Sequence, residues 1–247
     1  MYQEQLLFKA ENKLKNMKIA CRLALLISLF LMIASVSSLA SALENNPNNG
    51  IENMSKSLFL QTHKQLNPQV LKLALQAFFK ARAEGLEKKP ILTVIDYSLP
   101  SNKKRLWVMD LSSQKILFNT IVAHGKNSGD NYSSTKFSDS DGSLQSSLGL
   151  FLTESTYIGH NGYTLRLKGL EQGINSHAEE RRIVMHPAWY VSQDLVDHGG
   201  LIGRSWGCPA LDKKVATPLI NTIKNGSIIF AYYPDKHLLE SSKFISA

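Results

Sequence analysis

Short runs of β-branched and aromatic residues, separated by turn-forming residues, dominate the chain after Pro90. These runs do not alternate with helices in regular βαβ units, which argues against a doubly wound parallel sheet. The pattern predicts a mainly β domain with a few flanking helices. The candidate strands are residues 91–95, 105–109, 115–122, 149–153, 163–167, 182–185 and 227–232.

Two segments outside these runs have helical patterns. Asn67 and Pro68 are a good cap and a good first residue for a helix whose apolar residues recur at helical spacing up to Phe79. A second helix is expected to begin at Thr217-Pro218, because a proline further inside it would break its hydrogen-bond ladder. Residues 124–147 are rich in Gly, Ser, Asn and Asp and predict a long loop.

The N-terminus has the pattern of an export signal. Basic residues precede an uncharged apolar run at residues 23–33, and small residues follow up to Ala42. We therefore expect a signal peptide at residues 1–42, with Met17 as an alternative start, and a protein exported to the periplasm or cell envelope. The other interpretation is an uncleaved anchor, which would associate the protein with a membrane; the apolar run is short for that role.

The remaining chain is expected to comprise three parts. Residues 43–64 form a loose N-terminal segment, residues 65–235 a catalytic domain, and residues 236–247 a C-terminal tail. The formal net charge of +8 becomes +5 without the five basic and two acidic residues of the signal peptide, and a mildly cationic exported protein suits an anionic cell wall or membrane surface. No stripe of Lys and Arg is interleaved with aromatic residues, so nucleic acid is not an expected partner.

Cysteine use directs attention to a single thiol. Cys21 would leave with the signal peptide, so Cys208 would stand alone in an oxidising compartment. Its neighbours favour chemistry over inert burial. Gly207 permits a tight backbone next to the thiol, the N–H groups of Gly207 and Cys208 would face an oxyanion, and Arg204 would lower the thiol pKa or hold a carboxylate.

A reactive thiol requires a base, and His186 is the best candidate. It ends an apolar strand 22 residues before Cys208. A histidine that leaves a strand toward a loop is well placed to enter a site. Spacing alone does not establish that the two side chains meet.

Several motifs in order resemble the murein L,D-transpeptidase catalytic domain family of the YkuD type. The resemblance covers roughly residues 65–235. The matching segments are residues 124–129 (HGKNSG), 146–149 (SSLG), 163–167 (YTLRL), 184–186 (VMH) and 203–211 (GRSWGCPAL).

This resemblance implies a β-sandwich or β-barrel-like catalytic domain acting on the stem peptides of bacterial peptidoglycan. By matching position, Cys208 would be the nucleophile and His186 the base, while Ser205 and Gly207 would shape the site. A backbone carbonyl often orients the histidine in this family. The implied chemistry needs no cofactor and no metal.

The chain departs from the commoner S-H-G-C-x-R pattern. Trp206 replaces the histidine, and Pro209 follows the cysteine without the usual arginine. Arg204 or Arg166 would then be the candidates for binding a stem carboxylate. His124 opens the long loop, and lining the cleft and a structural turn are equally compatible with its position.

Three alternatives to transpeptidation stay open. Water could resolve the thioester, which would make the protein an L,D-carboxypeptidase. A non-catalytic peptidoglycan-binding module on the same scaffold is the second alternative. The third is a metallohydrolase, whose zinc signatures are absent from the sequence. Its candidate ligands would be His177, His186, Asp194, Asp197 and His198.

Overall fold

The computed structural model describes residues 47–245. The expected signal peptide at residues 1–42, with Met17 and Cys21, lies outside this range. The chain divides between Gly50 and Ile51, and everything from the first strand onward belongs to the second unit, Ile51–Ala247. Between residues 47 and 245, no helix has the length and apolar character needed to cross a bilayer.

The second unit is built on a mixed eight-stranded sheet, counted within the described range. The strands are β1 (Ile91–Asp96), β2 (Leu106–Asp110), β3 (Lys115–Thr120), β4 (Gly149–Gly159), β5 (Gly162–Gly169), β6 (Val184–Ala188), β7 (Ala210–Asp212) and β8 (Ile228–Tyr232). Their order is β3-β2-β1-β8-β4-β5-β6-β7. The prediction of a mainly β domain is confirmed.

Two of the strand pairs are parallel and the others are antiparallel. β8 lies between β1, with which it is parallel, and β4, with which it is antiparallel. β6 and β7 form the other parallel pair, at one edge of the sheet. β8, the last of these eight strands in sequence, therefore lies in the interior of the sheet.

The helices in the described range are α1 (Pro47–Gln61), α2 (Pro68–Ala83), α3 (Gln193–Asp197), α4 (Lys213–Ile223) and α5 (Lys236–Ser241). α2 confirms its prediction, and the Asn67 side chain accepts a hydrogen bond from the Gln69 N–H at 2.8 Å. Its apolar face packs on β1 and β8, because Val70, Leu71 and Phe78 point into the core.

Three segments differ from expectation. Residues 43–64 contain helix α1 where a loose segment was expected, and the buried Leu58 explains the order. The expected C-terminal tail contains α5, whose Leu238 is buried. Helix α4 begins five residues before Pro218, because Asp212 caps its N-terminus through the Lys214 N–H at 2.8 Å.

The long loop is confirmed as a segment without long strands, held by isolated bridges. Between β3 and β4 the backbone pairs at Ala123 with Ala210 and at Gly125 with Ser205. These pairings place the loop beside the chain segment that leads into β7. Since that segment carries Cys208, the loop forms a wall of the region around the thiol.

Candidate active site

The sheet register explains how Cys208 and His186 come together. His186 on β6 pairs with Ala210 on the parallel neighbour β7. Cys208 precedes Ala210 by two residues, so it enters the sheet edge next to the strand that carries the histidine. Both side chains line one cleft of about 470 Å³. The other lining residues are His160, Asn161, Arg181, Arg182, Val184, Tyr190, Arg204, Ser205 and Trp206.

Two backbone groups contact the thiol. The Val184 N–H donates to Sγ of Cys208 at 3.5 Å, and the thiol donates to the Arg182 carbonyl at 3.7 Å. Burial raises the pKa of the Cys208 thiol above its ordinary value, and the Val184 N–H and the Arg181 charge only partly oppose this rise. At neutral pH the group is therefore a protonated thiol.

The orientation of His186 follows from one hydrogen bond. The ring is almost fully buried, and Nδ1 lies 2.9 Å from the carbonyl oxygen of Pro187. A carbonyl can only accept, so Nδ1 carries the proton and Nε2 keeps its lone pair. Burial lowers the pKa of His186, so the imidazole is neutral at pH 7. A neutral imidazole with a free lone pair can act as a base.

Ser205 and Gly207 shape the turn that holds the thiol. The Ser205 hydroxyl donates to the Cys208 carbonyl at 2.6 Å and accepts from the Gly207 N–H at 3.1 Å. The Gly207 N–H is thus occupied, contrary to the expectation that it faces an oxyanion. The Cys208 N–H has no hydrogen-bond partner among residues 47–245 and stays available for that purpose.

Glycine is required at position 207. Its φ of +125° lies in a region that side chains rarely adopt. A Cβ there would lie 2.8 Å from the Gln145 carbonyl oxygen of the long loop. The backbone of the loop therefore packs directly on the turn before the thiol.

Arg204 and Trp206 both line the cleft, but Arg204 is hydrogen-bonded to the long loop and Trp206 is exposed. Nη1 of Arg204 donates to the carbonyls of Lys126 at 2.9 Å and Gly129 at 2.6 Å, so this side chain tethers the long loop. The expectation that Arg204 lowers the thiol pKa is wrong, since Arg181 supplies the lowering charge. Trp206 is 75% exposed at the rim of the cleft.

His124 and Arg166 do not line the cleft. His124 is buried; Nδ1 accepts from Nη2 of Arg105 at 2.8 Å, and Nε2 donates to the Asp130 carbonyl at 2.8 Å. The structural interpretation of His124 fits this environment. The Arg166 guanidinium lies over the ring of Tyr157, 4.3 Å from its centroid.

The side chains proposed as alternative metal ligands do not form one cluster, because Asp194, Asp197 and His198 lie at α3, whereas His186 is on β6 and His177 precedes that strand. Nδ1 of His177 contacts Asp139 at 2.8 Å, whereas Nδ1 of His198 contacts the backbone carbonyl of Asp194 at 2.7 Å. In the part of the chain that the structure covers, no three His, Cys, Asp or Glu side chains form a group that could hold a metal ion.

A comparison with models of known protein families shows to which family the chain belongs. Residues 62–232 match the model of the L,D-transpeptidase catalytic domain. The chain belongs to the L,D-transpeptidase catalytic domain family. No curated protein matches the chain in sequence.

Solved structures, two of them of L,D-transpeptidases, resemble this member of the family only distantly. An L,D-transpeptidase from Mycobacterium smegmatis is 13% identical with a TM-score of 0.36, covering 58% of this chain and 59% of that chain. One from Stackebrandtia nassauensis is 14% identical with a TM-score of 0.33, covering 76% and 78%. The helical cell shape determining protein Pgp2 from Campylobacter jejuni is 10% identical with a TM-score of 0.39, covering 66% and 55%. The chain thus spans less than two thirds of the mycobacterial protein.

Sequence reasoning missed two arginines of this L,D-transpeptidase domain. Arg181 and Arg182 line the cleft from the segment that leads into β6. The Arg182 side chain is exposed and has no hydrogen-bond partner within residues 47–245. The sequence signal that could have indicated them is the pair of arginines directly before the apolar strand that carries His186.

Proposed function

We propose that this protein is an exported cysteine acyltransferase that joins peptidoglycan stem peptides by L,D-transpeptidation. The observation that carries the proposal is the shared cleft of Cys208 and His186, with Nδ1 of the histidine fixed on the Pro187 carbonyl. Membership in the L,D-transpeptidase family supports the substrate class. The basic and apolar pattern of residues 1–42 supports export.

In the proposed first step, Nε2 of His186 takes the Cys208 proton as the thiolate attacks the carbonyl before the terminal D-Ala of a donor stem. The tetrahedral intermediate places its negative oxygen near the Cys208 N–H, which would donate to it. The C–N bond then breaks, and the imidazolium returns the proton to the leaving D-Ala amine. The product is a thioester on Cys208.

In the second step an amine of another stem attacks the thioester carbonyl. His186 takes the proton from the attacking amine and returns it to the sulfur as the C–S bond breaks. The result is a new amide cross-link and a regenerated thiol. Water in place of the amine would give a trimmed stem, which is the carboxypeptidase reaction.

Cationic side chains of the cleft suit a substrate that carries carboxylates. Arg182 is exposed and unpaired within the described range, whereas the Arg204 guanidinium is already committed to the loop. A guanidinium binds a carboxylate through two parallel hydrogen bonds. We therefore assign Arg182 to the stem carboxylate, in place of Arg204 or Arg166.

The test is incubation of the purified protein with a disaccharide-tetrapeptide, followed by mass spectrometry. We expect loss of D-Ala and formation of cross-linked dimers. Cys208→Ala should abolish both, because Cys208 is the cysteine that lines the cleft and the thioester forms on its sulfur. His186→Gln should reduce turnover by about 10³-fold, in the range expected for loss of a general base. His63→Gln, an exposed histidine after α1, is the matched control.

The possible products separate the remaining alternatives. Dimers that depend on Cys208 establish transpeptidation, and tripeptide alone establishes hydrolysis. An unchanged stem, in a preparation whose circular dichroism shows a folded protein, would contradict the enzymatic proposal and favour a binding module. Activity that persists in Cys208→Ala would overturn the assignment of the nucleophile.

A further inference from the structure

Arg181 occupies a wall between two clefts. Its side chain is only 3% exposed, yet it lines both the cleft that contains Cys208 and a neighbouring cleft of about 460 Å³. A buried guanidinium is costly unless its donors are satisfied. The acceptors of its hydrogen bonds therefore show which part of the chain this arginine holds in place.

Those groups lie on one stretch of the long loop, residues 138–147. Nη1 donates to the carbonyl of Ser138 at 2.7 Å and to the hydroxyl of Ser147 at 2.5 Å. Nη2 donates to the hydroxyl of Ser143 at 3.1 Å and to the carbonyl of Gln145 at 2.8 Å. One planar fork thus fixes both ends and the middle of the stretch.

The same stretch packs on the turn before the nucleophile. The Ser146 hydroxyl donates to the Gly207 carbonyl at 3.1 Å, and the Gln145 carbonyl fills the space where a Gly207 side chain would be. Because Gln145 also accepts from Arg181, the guanidinium sets how closely the loop approaches Gly207. A displaced loop would shift the Cys208 N–H and the thiol together.

Arg181 also acts on the thiol from its own segment. The carbonyl of the next residue, Arg182, accepts the hydrogen bond of the Cys208 thiol, and the positive charge of Arg181 stabilises the thiolate. The nearest carboxylate to this guanidinium in the described chain is Asp139 at 3.9 Å, and His177 also binds that carboxylate. The charge of Arg181 therefore acts on Asp139, on Asp141 and on the sulfur of Cys208.

We propose that Arg181 is a positioning residue that clamps residues 138–147 against Gly207 and holds its positive charge beside the thiol. The proposal rests on the role of Cys208 as nucleophile. It concerns neither the substrate nor the acceptor. The other titratable and charged groups that face the thiol are Arg182, His186, Tyr190, Arg204, His160 and Tyr97.

The experiment measures the rate of Cys208 alkylation by iodoacetamide against pH and, separately, the turnover of disaccharide-tetrapeptide. In Arg181→Gln we expect alkylation at neutral pH to slow by about fivefold, because an opposite charge that favours the thiolate is lost. Arg181→Lys keeps the charge and should alkylate within about twofold of wild type. Its turnover should still fall by about tenfold, since an ammonium cannot replace the planar fork.

Two further variants separate the clamp from the charge. Replacing both Ser143 and Ser147 by Ala removes two acceptors of the guanidinium and leaves its charge; turnover should fall while alkylation stays close to wild type. Hydrogen exchange of residues 138–147 should rise in this double variant and in both Arg181 variants. Arg82→Gln, at an exposed arginine of α2, is the control for loss of a cation.

A purely structural arginine would give a different result. Arg181→Gln would then melt earlier but, while folded, would alkylate and turn over like wild type, and that outcome overturns the proposal. If Arg181→Gln does not fold, wild-type turnover in Arg181→Lys and in the double serine variant would overturn it equally. If even the wild-type protein does not convert the disaccharide-tetrapeptide, the proposed function is wrong. The alkylation rates and the hydrogen exchange of residues 138–147 then still decide the role of Arg181.

Discussion

At the residue scale, burial controls the state of the candidate catalytic pair. The pKa of Cys208 is raised and the pKa of His186 is lowered, in both cases chiefly by desolvation. Thiol and imidazole are therefore both neutral at pH 7, and no thiolate–imidazolium pair is formed in advance. Proton transfer must accompany attack on the substrate.

This neutral pair predicts a particular pH dependence. Turnover should fall as the pH drops through the His186 pKa, which burial lowers from its ordinary value, because the protonated ring cannot act as a base. Alkylation by iodoacetamide should keep rising above neutral pH and into the alkaline range, because burial raises the thiol pKa above its ordinary value. Stopped-flow alkylation between pH 5 and pH 10 is the measurement, and a rate that levels off near neutrality would contradict the neutral pair.

Arg182 supplies the second prediction at this scale. Arg182→Gln should raise KM for a stem with a free carboxylate by about tenfold with a small change in kcat, because a charge-assisted hydrogen bond is lost in ground state and transition state alike. Steady-state kinetics on the tetrapeptide give both constants, with Arg82→Gln as the matched control. An unchanged KM would remove Arg182 from the binding site.

The sequence was sufficient to find Cys208 and His186, but it did not show that they share one cleft. Cys208 and His186 stood out because reactive side chains followed a strand and a glycine-rich turn. Their meeting depends on the parallel pairing of β6 with β7, which no local pattern specifies. The raised pKa of Cys208 depends on burial by distant segments, so the nearby Arg204 was a misleading guide.

At the element scale, buried polar contacts tie the long loop to the sheet. Arg105, just before β2, is fully buried and donates to the Val122 carbonyl and to Nδ1 of His124. The Nε2 N–H of His124 in turn donates a hydrogen bond to the carbonyl of Asp130 in the loop. Burial and the neighbouring Arg105 lower the pKa of His124 to about 4.

This histidine predicts a loss of stability in acid. The unfolded chain takes up a proton on His124 near pH 6.5, and the folded protein only near pH 4. Between these values the unfolded state binds more protons, so stability falls as the pH decreases, by about 2 to 4 kcal/mol in total for this group. Urea unfolding of wild type and His124→Gln at pH 4 to 7 is the test. Parallel curves for the two proteins would refute the assignment.

The start of a helix was predicted correctly where neighbouring residues specify it, and wrongly where tertiary packing determines it. Asn67 and Pro68 marked the start of α2 correctly. The sequence predicts a helix start at Thr217-Pro218, but α4 continues through Pro218 and buries Leu219, Ile220 and Ile223. A proline inside a helix costs about 3 kcal/mol. Each buried aliphatic side chain contributes about 1.5 to 3 kcal/mol, so the packing of α4 outweighs the cost.

At the scale of the whole sheet, β8 is the strand through which the ladders of the two halves are joined. β3, β2 and β1 lie on one side of it, and β4, β5, β6 and β7 on the other. Every residue of β8 is buried, and Phe230 is fully so. The edge that carries the candidate site is therefore connected to the first three strands through β8 and, in addition, through the pairing of Ala123 after β3 with Ala210 of β7.

Phe230→Ala should destabilise both halves at once. Truncation of a buried phenylalanine costs about 3 to 5 kcal/mol. Because β1 and β4 both pair with β8, hydrogen exchange at both strands should accelerate together. Leu117→Ala, an exposed residue of β3, is the control. Exchange that rises in β4 while β1 stays protected would show that the halves are stable independently.

The central place of β8 has a consequence for biogenesis. Chains emerge from the ribosome or a secretion pore from the N-terminal end, so the partners of β8 emerge before residues 228–232. Until then β1 and β4 each expose an unpaired edge, which invites association with other chains. The ladder that joins β1 to β4 therefore cannot form until residues 228–232 have emerged and β8 is in place. Chaperones that bind unfolded chains would act during that interval.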